Sequence, residues 1–157
     1  QALLTEKAVL SCMAYVDLNP IRAKAATNLH DSFYTSINRR LRYNAKSERI
    51  KVLMPFKHPA LVNTNRIINF TLADYRELLK SSIDIMHGSL SSSKVTKLNS
   101  TLTVLGVNQP NWLQIITNFE NTFSFAAGDR ESMMLFKQNT NRKRIAKLKS
   151  AASCFDG

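Results

Sequence analysis

A tyrosine and two cations bracket a helix break near the start of the chain: Tyr15, then Asn19-Pro20, then Arg22 and Lys24. Pro20 lacks an amide donor and disfavours α conformation at Asn19, so a first helix is expected to end near Asp17 or Leu18. Asn19 is then placed to cap a second helix with Pro20 at its first position. A phenol held on a rigid element beside such a joint, with two positive charges following, suits a nucleophile aimed at a phosphodiester. It equally suits a ring packed in a core beside two solvated cations. At about 100° per residue, Tyr15 shares a side with Leu4, Ala8, Ser11 and Cys12, away from the polar Glu6, Lys7 and Asp17. Physical grounds alone favour packing, because tyrosines commonly bury the ring and hydrogen-bond the tip.

Two further basic groups can meet a polyanion. Arg39, Arg40 and Arg42 end a segment that closes on Tyr43, and Lys46, Arg49, Lys51 and Lys57 follow with few acids between. Arginines grip phosphates bidentately and a tyrosine offers a stacking ring, although any one of these arginines can equally be a solvated charge. Near the C-terminus, Lys137, Arg142, Lys143, Arg144, Lys147 and Lys149 occur with no acid between Ser132 and Phe155. Ile145 and Leu148 interrupt that run at helical spacing, so a basic last helix is expected to pack one side and expose the other. Contact with a nucleic-acid backbone competes there with plain complementarity to a helix C-terminus.

The elements that position these groups read as helices: 2–17, 20–27 and 32–43. A long connector over 46–70 follows, carrying Met54-Pro55, His58-Pro59 and Asn63-Thr64-Asn65. Thr71 with Asp74 three residues on marks the start of a helix whose apolar stripe is Leu72, Tyr75, Leu79, Ile83 and Met86. His87-Gly88 ends it. Val95, Leu98, Leu102 and Leu105 form the next stripe, stopped by Gly106. Pro110 opens a helix holding Trp112, Ile115, Ile116, Phe119 and Phe123, and Asp129 caps the last one with Glu131 in its first turn. These stripes are bundle core. The fold class is therefore mainly α, partitioned as 1–45, a connector at 46–70 and a helical region at 71–157.

The run Tyr15-Val16-Asp17-Leu18-Asn19-Pro20-Ile21-Arg22-Ala23 resembles the Tyr-Ile-x-Leu-Asn-Pro-Val-Arg-Ala segment of the IS200-like and REP-associated single-tyrosine transposases. The likeness continues through Tyr34-Thr35-Ser36 with Arg39-Arg40-Leu41, then Met54-Pro55-Phe56 and Asn69-Phe70-Thr71-Leu72-Ala73-Asp74-Tyr75. Leu105-Gly106, Trp112-Leu113 and Ala126-Ala127-Gly128 follow in the family's order. The resemblance implies the C-terminal helices of a transposase domain followed by a small helical bundle, with Tyr15 as nucleophile. In the intact family the tyrosine oxygen attacks a metal-bound phosphate, leaving a 5′-phosphotyrosine and a free 3′-OH. A His-hydrophobic-His pair holds that divalent metal, such as Mg. This chain has His30, His58 and His87, no two separated by a single residue, so it contributes no metal ligands and no cofactor of its own. Because Gln1 leads directly into the tyrosine-bearing helix, a C-terminal remnant or truncated copy that does not cut DNA alone is expected.

With 157 residues, 44% of them hydrophobic, and a formal charge of +11, the chain has the composition of a folded protein that attracts polyanions. No apolar stretch reaches a membrane span and no signal peptide is evident, so a cytoplasmic protein without a membrane partner is expected. Cys12 and Cys154 give neither ligand spacing nor a disulfide framework. Four glycines leave no room for a glycine-rich nucleotide loop. The expected partner is DNA, single-stranded or hairpin, met by Arg22, Lys24, Arg39, Arg40, Arg42, Arg142, Lys143, Arg144 and Lys147. A homodimer or docking on a full-length transposase is compatible with the resemblance. The competing expectation is a non-catalytic DNA-binding or accessory module of the same ancestry.

Overall fold

The computed structural model describes residues 1–43, 53–57, 67–89, 91–141, 143–144, 146–148 and 153–155. Arg142, Ile145, Lys149, His58-Pro59, Asn63-Thr64-Asn65 and most of the 46–70 connector lie outside the described residues. Within them the protein is mainly α-helical. The helices are α1 (Glu6–Asp17), α2 (Asn19–Arg22), α3 (Ser36–Arg42), α4 (Leu72–Met86), α5 (Ser92–Leu105), α6 (Gln109–Thr122) and α7 (Arg130–Asn139). Two short strands, β1 (Ala2–Leu3) and β2 (Ala126–Ala127), pair in parallel with Ala2 opposite Ala126 and Leu3 opposite Ala127. No helix among the described residues is long and apolar enough to cross a membrane. The chain forms two compact units, one of Gln1–Tyr15 with Ser92–Gly157 and one of Val16–Ser91. They interleave along the sequence, whereas the sequence partition took consecutive segments.

In the first unit the expected helix at 2–17 begins later, at Glu6. Ala2 N donates to Phe125 O at 2.8 Å and Leu4 N to Ala127 O at 2.9 Å, so these residues complete a strand pair. Thr5 Oγ1 then accepts from Ala8 N at 3.2 Å and satisfies an otherwise orphaned donor of α1. The expected stripes pack as a core: Leu98, Leu102 and Leu105 of α5, and Trp112, Ile115, Ile116 and Phe119 of α6, are buried with Phe123, Met133 and Phe155. Asn108 caps α6 by accepting from Asn111 N, with Pro110 in the first turn as anticipated. Asp129 caps α7, accepting from Ser132 N at 2.9 Å. That helix stops at Asn139. Thr140 Oγ1 turns back onto Phe136 O at 2.6 Å and Asn141 is left-handed at φ 50°, so Lys143, Arg144 and Lys147 lie beyond α7 rather than along it.

In the second unit α2 and α3 are shorter than their sequence stretches. Leu18, not Asn19, holds the cap position of α2, with helical backbone and no side-chain cap. Asn19 is the first helical residue, and its Oδ1 accepts from Arg22 Nη2 at 3.1 Å. Pro20 is accommodated because first-turn positions need no intrahelical amide bond. Lys24, left-handed at φ 56°, ends the turn. Thr35 starts α3 with extended backbone and a hydroxyl that accepts from Asn38 N. Thr71 caps α4, accepting from Asp74 N at 3.0 Å and donating its hydroxyl to Asp74 Oδ2 at 2.6 Å. Phe56 forms a parallel bridge with Ile68, and both side chains are buried with Phe70, Tyr75, Leu78 and Leu79.

Candidate nucleic-acid interface

The start of α3 rests on a buried carboxylate. Asp17, the last residue of α1, is only 1% exposed, although helical periodicity assigned it to a polar side. Its Oδ1 accepts from Ser36 N at 2.8 Å and Ile37 N at 3.2 Å, and its Oδ2 accepts from Ser36 Oγ at 2.9 Å and Tyr75 OH at 2.8 Å. One side chain thus ties α1, the start of α3 and α4 together. Burial raises the Asp17 carboxyl above its ordinary range, opposed by the bonds from Tyr75, Ser36 and Ile37. Tyr75 is fully buried and its ring lies 5.1 Å from Phe56.

Arg40 is half-buried, with its guanidinium engaged within the fold. Its Nη2 donates to Met54 O at 2.8 Å and its guanidinium lies 4.7 Å over the Phe56 ring. Nε is buried without a hydrogen-bond partner among the described residues. Burial pulls the Arg40 guanidinium down from its usual range, while the nearby Asp17 carboxylate opposes that shift. A cation so engaged is poorly placed to grip phosphate.

Arg39 and Arg42, in the same last turn, are exposed. Arg42 is stacked, its guanidinium 4.6 Å over the ring of Phe33, with Nη2 reaching toward His30 O at 3.5 Å. Phe33 itself is half exposed and Tyr34 is fully exposed. The turn that presents them is braced from within. Asn28 Oδ1 accepts from His30 N at 2.9 Å and Asp31 N at 3.1 Å, and Ser32 Oγ donates to Asn28 O at 2.9 Å. Thr35 Oγ1 donates to Ser32 O at 2.7 Å, and the buried Asn38 Nδ2 to His30 O at 2.6 Å. Leu29 and Ser32 are buried, so the turn is anchored while Phe33 and Tyr34 point outward. Tyr34 also has a left-handed backbone, φ 68°, which is unusual for a bulky residue.

The other expected site residues are distributed differently. Arg22 ends α2 and bonds Asn19, while Lys24 is exposed in the following turn. Tyr43, the expected stacking ring, caps α3 through its amide to Arg39 O and is 36% exposed, far less than Tyr34. Lys143, Arg144 and Lys147 belong to the other unit, where Lys147 Nζ donates to Asn121 O. Arg142 lies outside the described residues. Tyr15 is half-buried, its ring 5.6 Å from Phe119; Phe119 in turn lies 4.6 Å from Phe123, which stacks on Phe155 at 5.4 Å.

Sequence reasoning missed Asp17, Phe33 and Tyr34. A usable signal for Asp17 was the Thr35-Ser36 helix start, whose amides need an acceptor. For Tyr34 it was the Asn28–Ser32 turn chemistry just before it. Among the described residues no group of three or more His, Cys, Asp or Glu side chains is placed to hold a metal ion. His30 and His87 are exposed. No protein-family model matches the chain, and no curated protein or solved structure matches it.

Proposed function

We propose that this chain is the DNA-binding C-terminal piece of a single-tyrosine transposase, and that its second unit meets DNA through Arg39 and Arg42. The observation that carries the reading is the arrangement at the end of α3. Two exposed arginines stand there, one stacked on a half-exposed aromatic ring, while Arg40 between them is held by Met54 O and Phe56. A charge of +11 supplies long-range attraction, and guanidinium forks supply phosphate contacts. Arg22, Lys24, Lys143, Arg144 and Lys147 add to the attraction. In an assembly that brings its own metal-binding histidines, Tyr15 would be the nucleophile.

The packing of Tyr15 on Phe119 favours a second reading, a non-catalytic DNA-binding or accessory module. A mobility-shift titration against hairpin DNA and a scrambled strand at two salt concentrations tests the DNA reading. Binding that weakens with salt, and weakens further in Arg39→Ala and Arg42→Ala, is expected. Absence of binding at low salt would sink both readings. Transfer of Tyr15→Phe into a complex that restores the histidine pair separates them: loss of covalent DNA linkage supports the nucleophile.

A further inference from the structure

The geometry points to a base-stacking site on the Asn28–Thr35 turn, formed by Tyr34 and by the outer face of the Arg42 guanidinium on Phe33. It rests on the DNA reading and names the part of DNA that this surface takes: an unpaired base rather than the phosphate backbone. Four observations converge on it. Among the described residues Tyr34 is fully exposed, so its ring is open to a ligand. Its backbone is held left-handed at φ 68°, a conformation that a bulky residue adopts at a cost. The turn beneath is fixed by the bonds of Asn28, Ser32, Thr35 and Asn38 to its backbone, so the ring stands on a rigid support. On Phe33, the residue before it in the chain, the Arg42 guanidinium lies 4.6 Å over the ring.

An aromatic ring beside a planar cation suits a flat π-system carried on an anion. The face of any base stacks on tyrosine or on a guanidinium plane, and the strand that carries it is drawn by the surrounding positive charge. A protein partner would need an acidic aromatic-binding pocket; a nucleic-acid strand supplies both features in every nucleotide. In a duplex the base faces are already stacked on one another, so the site selects unpaired bases.

The test compares two labelled strands of equal length, one with natural bases and one with abasic sugars throughout, by fluorescence anisotropy on the full chain. Tyr34→Ala is expected to weaken binding of the natural strand on the order of tenfold or more, the range of one base–aromatic stack, and to leave the abasic strand unchanged. Tyr34→Trp keeps the platform and should bind the natural strand as the wild type does, with its indole emission quenched by that strand and not by the abasic one. Equal loss on both strands, or no loss on either, would overturn the stacking site while leaving the DNA reading intact. Failure of the wild type to bind both strands at low salt would overturn the DNA reading and the site with it.

Discussion

Replacing Tyr75 by phenylalanine removes one buried hydroxyl from the interior. The ring stays in place against Phe56, and Arg40 stays over Phe56. The variant loses the 2.8 Å bond from Tyr75 OH to Asp17 Oδ2, between two side chains that are almost wholly buried. Asp17 retains Ser36 Oγ on Oδ2 and the Ser36 and Ile37 amides on Oδ1, so the carboxylate is weakened rather than stranded. A hydrogen bond to a charged group contributes about 1.5–3 kcal/mol, and the variant should lose about 2 kcal/mol of stability near neutral pH.

The penalty should also depend on pH with a definite sign. Burial holds the Asp17 carboxyl above its ordinary range, while the Tyr75 bond pulls it down. For a carboxyl raised on folding, the stabilising contribution is complete below the unfolded value, about 3.9, and is lost as pH rises through the folded value. Without the hydroxyl the folded value moves up further, so the loss deepens at neutral pH and fades toward acid, where Asp17 is protonated in both proteins. Urea unfolding followed by far-UV circular dichroism measures this. A loss of about 2 kcal/mol moves the midpoint by about 1 M urea for a slope of about 2 kcal/mol/M. A penalty under about 0.5 kcal/mol near neutral pH, the scatter of ordinary surface substitutions, would refute the reasoning. So would an equal penalty at neutral pH and below the unfolded carboxylate value of about 3.9.

Arg40→Gln should lower the midpoint of thermal unfolding while changing DNA affinity less than Arg42→Ala does; the reverse ranking in paired melting and binding measurements would return Arg40 to the interface. Thr71→Ala should cost about 1 kcal/mol in denaturant unfolding, because Asp74 N loses the acceptor that caps α4. Gly106→Ala should cost about 1 kcal/mol or more, since φ is +61° there and the new methyl would meet the movable tip of Lys7. Gly88→Ala, with φ +67° and open space around it, isolates the backbone part of that cost, and equal thermal shifts in the two variants would show that Lys7 yields freely. Asp129 has its carboxyl lowered chiefly by the Ser132 amide, so its contribution is present above the unfolded carboxylate value and lost as pH falls through the folded one. Asp129→Asn should therefore flatten the acid limb of a stability–pH profile.

What the sequence made legible was local. Thr71 and Asp129 announce helix starts because a cap needs only a short oxygen-bearing side chain and the amide three residues on, and both caps form. The apolar stripes of α4, α5 and α6 became core for the same reason, since a period near 3.6 residues fixes which face is buried. Non-local pairings stayed hidden. Two-residue strands have no periodicity to read, and the β1–β2 pairing joins opposite ends of the sequence. Asp17 shows the limit most clearly. A helical wheel ranks a carboxylate by its own polarity, yet the burial of Asp17 is set by donors that arrive from Ser36, Ile37 and Tyr75. Once those donors are in place, exposure would cost more than burial, because each would lose its acceptor inside the fold. The same bonds brace the start of α3 beside the Thr35 cap, and the helical turn then sets its three arginines on different sides. Asp17, a residue with no place on the basic surface itself, thus helps to hold the helix on which Arg40 is engaged while Arg39 and Arg42 are exposed.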